Sequence, residues 1–162
     1  MTGDPRTAPL RCCLELDTRL FESCLSGVDE ATARHRPGAA SNNMSFIAAH
    51  MVDVRRYLAN LLGPEVDNPF PELGDGESID DFDELPRVER LLAAWREVSA
   101  AVLSRLAAVS ADELDRKTEQ TFPVDDPTLL GAIAFLTQHD AYHLGQLAYL
   151  RKLAGLEAMS YE

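Results

Sequence analysis

Apolar side chains recur every three to four residues through four long stretches of this chain, and no stretch alternates regularly enough to make a strand. That periodicity confines the fold to packed helices. The first stretch covers residues 10–28, where Cys13, Leu16, Leu20 and Cys24 form a stripe widened by Leu14, Phe21 and Leu25. Arg36-Pro37-Gly38 breaks the pattern. The second covers residues 43–62, entered through Ser41-Asn42 and stopped by Gly63-Pro64, with Ile47, His50, Val54, Tyr57 and Leu61 along one face. The third takes Pro86 into its first turn, where a helix needs no donor, and runs to residue 109 with Leu91, Trp95, Val98 and Val102 on its stripe. Ser110-Ala-Asp-Glu113 is a capping box for a short helix to residue 117, and residues 119–125 read as loop. Asp126 as N-cap and Pro127 as first helical residue open the fourth helix, which continues to residue 154 with Gly155 closing it.

Residues 63–85 stand apart. They hold nine acidic residues and no basic one, together with Pro64, Pro69, Pro71, Gly74 and Gly76, so neither a regular helix nor a core strand fits. A connection of that length in a compact domain either carries the chain along the bundle or covers a site. The first reading is adopted, and it makes the third helix parallel to the second. The expected architecture is one all-α domain over residues 1–162, a four-helix bundle with a long crossover between helices 2 and 3. With 162 residues and 46% apolar composition, the chain can bury one sizeable core.

A net charge of −12 excludes partners that are held by clustered Lys and Arg, so neither nucleic acid nor an anionic membrane surface is expected. No apolar run is long enough to span a bilayer, the N-terminal residues lack the order of a secretory signal, and a cytoplasmic location is expected. Cys12, Cys13 and Cys24 read as free thiols, an odd number with no metal spacing. Cys13 and Cys24 fall about 16 Å apart along one helix, too far to bridge. All three are expected as small buried apolar groups.

The chemistry lies in the histidines. His139 and His143 are one helical turn apart in Thr137-Gln-His-Asp-Ala-Tyr-His-Leu-Gly-Gln146, and His50 lies in Phe46-Ile-Ala-Ala-His-Met-Val-Asp-Val54. Steps of four and three along the last helix give Ala132, Leu136, His139, His143, Gln146, Leu150 and Leu153, an inward-facing line. Three imidazoles therefore point into one core from two helices. Each buried ring needs a partner for a donor and an acceptor, and the stripes offer few: Gln146, Tyr57, and Asp53 or Asp140 at their edges. A divalent metal accepts three ring lone pairs at once and leaves one N–H per ring for outer partners. The motif is not HExxH, because position 140 is Asp and no Glu precedes His143. Neutral imidazoles suit Zn, Ni, Cu or Fe, and three ligands leave a position open for reaction. His35, beside Arg36-Pro37, reads as a surface residue at a helix end.

The run His139-Asp-Ala-Tyr-His-Leu-Gly-Gln-Leu-Ala-Tyr-Leu-Arg-Lys-Leu-Ala-Gly155 resembles the last helix of the DinB-like (DinB/YfiT) superfamily. The order of a first helix, Arg36-Pro37-Gly38, and Asn43-Met-Ser-Phe-Ile-Ala-Ala-His50 is similar too, as is the closing Gly155-Leu-Glu-Ala-Met-Ser-Tyr161. The resemblance implies a bundle, often dimeric, that holds a metal on three histidines, here His50, His139 and His143. It also implies divergent activities: some members are transferases or isomerases that use low-molecular-weight thiols, and many have no established activity.

The function expected is that of a metal-dependent transferase acting with a small thiol on a small-molecule electrophile, with Zn or Ni as the ion and Fe or Mn also compatible. The ion would lower the pKa of a bound thiol or water. Gln146, Asp53 and Tyr142 are candidates to support the ligands. Tyr142 is rotated about 100° off the stripe, which suits packing better than chemistry, and an exposed acid is the stronger reading for Asp53. The competing expectation is a non-catalytic, stress-associated homodimer with a structural or vestigial metal site.

Overall fold

Side chains that take the free amides of a first turn decide where most of these helices begin. The computed structural model describes residues 3–74, 76 and 78–161. Among them are six α-helices: α1 (Ala8–Leu25), α2 (Glu30–Arg34), α3 (Met44–Leu62), α4 (Val88–Leu106), α5 (Ala111–Leu114) and α6 (Leu129–Leu153). Asn43 caps α3 by accepting from the Phe46 amide at 2.8 Å. Ser110 and Glu113 form the expected capping box on α5, which ends earlier than anticipated. Two starts differ from expectation. Pro86 precedes the cap of α4 instead of entering its first turn: Arg87 is extended, and Glu30 of α2 accepts from the Val88 amide at 2.9 Å. On α6 the cap is Thr128, because the Asp126 carboxylate turns back to the Thr128 amide and hydroxyl and leaves Pro127 outside the helix. Gly155, at φ +78°, closes α6 as expected. The sequence reading missed α2, since five residues are too few for periodicity to show.

The long helices form a four-membered bundle in which α3 and α1 each pack against both α4 and α6. The C-terminal ends of α3 and α4 lie together, where Arg105 donates to the Ala59 carbonyl. Residues 63–87 thus return the chain along the bundle and make α3 and α4 parallel, with α1 and α6 running the other way. Trp95 and Phe21 stack at 4.2 Å in one half of the core, and Leu14, Leu58, Val102 and Ile133 fill the other. No helix among the described residues is long and apolar enough to cross a membrane.

Three of the inward stripes are rotated from those expected. On α1 the buried line is Leu14, Asp17, Phe21 and Cys24, so Cys12 and Cys13 are exposed and only Cys24 is a buried thiol. On α3 the line is Ala48, Met51, Val52, Arg55 and Leu58, which puts His50, Val54, Tyr57 and Leu61 half-buried on a flank. On α6 it is Ile133, Thr137, Asp140, Leu144, Leu147 and Arg151, and Leu153 is exposed. One physical cause covers α3 and α6: charged residues that normally mark the outer face are buried against polar partners. Arg55 and Asp140 meet at 2.7 Å with side chains 0% and 2% exposed, and the guanidinium lies 4.3 Å from the centre of the Trp95 ring. Arg151 donates to the carbonyls of Cys24, Ser26 and Glu157.

Candidate metal centre

The rotation moves the histidines from the centre of the core to its edge without separating them. His50, in the second turn of α3, faces His139 and His143 across the groove between α3 and α6. The Nε2 of His139 lies 3.2 Å from that of His50 and 3.1 Å from that of His143. One nitrogen from each ring falls within 4.8 Å of the other two. Nitrogens bound to one tetrahedral ion at about 2.0–2.1 Å stand roughly 3.3 Å apart, so the spacing fits a shared cation. Hydrogen bonding alone fits less well. The His139 Nε2 offers one N–H or one lone pair, and it has two nitrogens against it.

Surrounding groups set which ring nitrogen is free. His143 donates from Nδ1 to Oε1 of Gln146 at 2.7 Å, which leaves its Nε2 as a lone pair aimed at the other rings. His139 Nδ1 is buried without a hydrogen-bond partner among the described residues. Burial lowers the pKa of all three. His139 is held down to about 4 by burial, then by His143 and His50. His50 is lowered by burial and by His143, against the pull of the Asp53 carboxylate, and His143 is lowered by burial against its bond to Gln146. The rings are neutral at pH 7, the form in which imidazole binds a metal.

The other residues singled out from the sequence divide. Gln146 accepts from the His143 ring. Tyr142 is 61% exposed and touches His143 only through its ring, centroid to centroid at 5.0 Å. Asp53 is exposed and paired with Arg56 at 2.9 Å, and no hydrogen bond joins it to a histidine. His35 caps the exposed C-terminal end of α2.

The sequence reading missed two parts of the site. Asp140, next to His139, is not at the edge of a stripe but in the core, where its pair with Arg55 ties α6 to α3 at the level of the histidines. Burial, against the pull of Arg55, pushes the Asp140 carboxyl up to about 6; burial and Asp140 do the same to Asp17. The second part is the crossover. Beyond carrying the chain, it folds Phe70, Leu73, Phe82 and Leu85 over Phe46 and His50 and encloses a cavity of about 280 Å³. Gly76 packs against the Phe82 ring so closely that a Cβ, 2.4 Å from it, would make the ring move. The signal available in the sequence was a set of aromatic residues in an otherwise acidic segment.

A helical bundle carrying three converging histidines beside a cavity is the class that fold and site define together. The sequence profile of the DinB superfamily matches residues 14–147, and the chain belongs to that superfamily. The fold is similar to that of a conserved protein from Enterococcus faecalis, with a TM-score of 0.73 and 16% identity over 91% of this chain and 96% of the other. No curated protein sequence matches the chain.

Proposed function

We propose that this protein is a metal-dependent transferase that joins a low-molecular-weight thiol to a small electrophile, with Zn or Ni on His50, His139 and His143. The observation that carries the reading is the convergence of the three Nε2 atoms on half-buried rings, one of which, His50, lines a cavity, where a closed structural site would be sealed. A divalent ion held there supplies Lewis acidity, which lowers the pKa of a thiol or water at neutral pH. The chain's own residues do the rest. Gln146 keeps the His143 lone pair directed inward. The Arg55–Asp140 pair holds α3 and α6 in register. Phe46, Phe70 and Phe82 line the space beside His50 with aromatic surface. In the reaction the thiol gives up its proton to solvent, its sulfur bonds to the electrophilic carbon, and the displaced group departs with the bonding pair.

The test is a panel of electrophiles offered with several cellular thiols to metal-loaded protein, chelated protein and the His143→Ala variant. Thiol consumption that disappears with chelator and with the substitution is expected. Metal-loaded protein that consumes no thiol with any electrophile overturns the reading, and points to a non-catalytic role for the metal.

A further inference from the structure

We propose that the three histidines and the cavity beside them form one composite site for a small anionic ligand with an apolar body. The charged oxygen or sulfur of the ligand binds the ion, and its hydrocarbon ring fills the cavity. The ion is the one placed on His50, His139 and His143 in the reading above; the thiol chemistry of that reading is not required.

His50 belongs to both halves of the site. Its Nε2 lies 3.2 Å from that of His139, and its ring forms part of the cavity wall. The same face of α3 continues along that wall, with Phe46 and Ala49 before His50 and Asp53 after it. An ion bonded to the His50 nitrogen at about 2 Å is therefore a neighbour of the wall, and a head group on it reaches the cavity through a short carbon tether.

Charge selects the head. Imidazole is a neutral ligand, so three of them leave the positive charge of a divalent ion uncompensated. Among the described residues no arginine or lysine lines the cavity, and the guanidinium groups around it are engaged. Arg36 pairs with Asp80 at 2.6 Å, Arg90 with Glu72, and Arg56 with Asp53. Asp53 also lines the cavity, but it is exposed to water and already carries Arg56 at 2.9 Å, so it does not offset the ion. An anion that enters here is received by the ion.

The walls select the body. Phe46 comes from α3, and Phe70, Phe82 and Leu85 come from the crossover, so apolar surface meets the ligand from two separate segments. Phe46 and Phe82 stand 6.0 Å apart, centroid to centroid, and tilted at 45°, which presents ring edges and faces to one space. A volume of about 280 Å³ is at the small end for ligand pockets and suits a phenyl ring. Burying such a ring is worth roughly ten- to a hundredfold in affinity.

The experiment uses three probes: phenylacetohydroxamate carries head and body, acetohydroxamate the head alone, and phenylacetamide the body alone. Calorimetric titration at pH 7 gives their affinities for the full chain, zinc-loaded and after chelation. On the loaded protein phenylacetohydroxamate is expected to bind at least about tenfold more tightly than acetohydroxamate, and at least about tenfold more tightly than phenylacetamide. Phenylacetamide binds within about twofold equally with and without zinc, since it lacks the charged head. Phe82→Ala, on the crossover, and Phe46→Ala, on α3, each cut the advantage over acetohydroxamate to below about threefold and leave acetohydroxamate within about twofold. Circular dichroism checks that both variants keep their helicity. On cobalt-loaded protein both hydroxamates shift the visible absorption bands, which shows the head on the ion, and phenylacetamide does not.

Equal affinity for the two hydroxamates overturns the proposal, as does an advantage that survives both phenylalanine changes. Phenylacetamide that binds as tightly as phenylacetohydroxamate to the loaded protein overturns it from the side of the ion. These outcomes separate from those of the transferase test. Probes that bind as expected to a protein without thiol turnover support the composite site and refute the chemistry. Thiol turnover by a protein that binds the two hydroxamates equally refutes the composite site and keeps the chemistry. A chain that retains no zinc overturns both, and the metal count identifies that case.

Discussion

Replacing Arg55 by Met removes the one cation that faces Asp140 in the core, and its cost follows from the burial of both. Asp140 is 1% exposed and Arg55 0%. Without the guanidinium the carboxylate has no counter-charge and takes a proton. Holding a carboxylic acid neutral at pH 7 against an ordinary pKa of about 3.9 costs about 4 kcal/mol, of which the parent, with Asp140 at about 6, already bears about 3, so protonation caps the added electrostatic loss at about 1–1.5 kcal/mol. The lost contact with the Trp95 ring adds about 1 kcal/mol. The expected total is about 2–3 kcal/mol, at or below the low end of the range for breaking a buried pair on one side.

The same reasoning fixes a pH dependence. In the variant the folded-state pKa of Asp140 is raised above its unfolded value, so the folded state binds more protons and stability rises as pH falls. From pH 7 to 5 Asp140 returns about 2.7 kcal/mol to the variant, on top of contributions from Asp17 and the histidines that both proteins share. The parent, whose Asp140 already titrates near 6, recovers about half as much. The gap between them therefore narrows by about 1 kcal/mol or more. Urea denaturation at both pH values, followed by far-ultraviolet circular dichroism, measures it. Adding Asp140→Asn to both proteins is expected to abolish the narrowing of the gap. A loss below about 1 kcal/mol at pH 7, or a gap that is the same at pH 5, refutes the reasoning.

Two further predictions concern the ligands. Gln146→Leu removes the acceptor on His143 Nδ1 and is expected to weaken metal affinity about 10–100-fold with little change in helicity, measured by competition with a chromophoric chelator; unchanged affinity would separate Gln146 from the site. Three ordinary histidines with pKa about 6.5 would lose roughly a thousandfold in zinc affinity between pH 7.5 and 5.5, about tenfold each, as protons compete for the lone pairs. All three are lowered here, His139 to about 4, so competition begins at lower pH and the loss is expected to stay below about a hundredfold; a thousandfold loss contradicts the buried, mutually opposed arrangement of the rings.

The helices and their order were legible in the sequence because Leu, Val and Ile recur at helical spacing and because Ser110 and Gly155 mark ends chemically. The histidine trio was legible for the same reason: a spacing of four on α6 and an isolated His on α3 survive small errors in the rotation of either helix. The rotation itself was not legible. Arg55, Asp140 and Arg151 read as outward residues from single-position hydropathy, and only their partners, a carboxylate, a guanidinium and three carbonyls, make them interior groups. Those partners are distant in sequence. The cavity was illegible for a related reason, since Phe70 and Phe82 reach His50 only when residues 63–87 fold back along the bundle.

The central claim is that His50, His139 and His143 together hold one divalent ion. Metal content of tag-free chain, purified from metal-supplemented medium and counted by mass spectrometry, tests it most directly, with His139→Ala as the control. The account predicts about one ion per chain, falling to near zero in the variant while the bundle stays helical. Less than about 0.1 ion per chain in the unaltered protein, or equal loading in the variant, contradicts it.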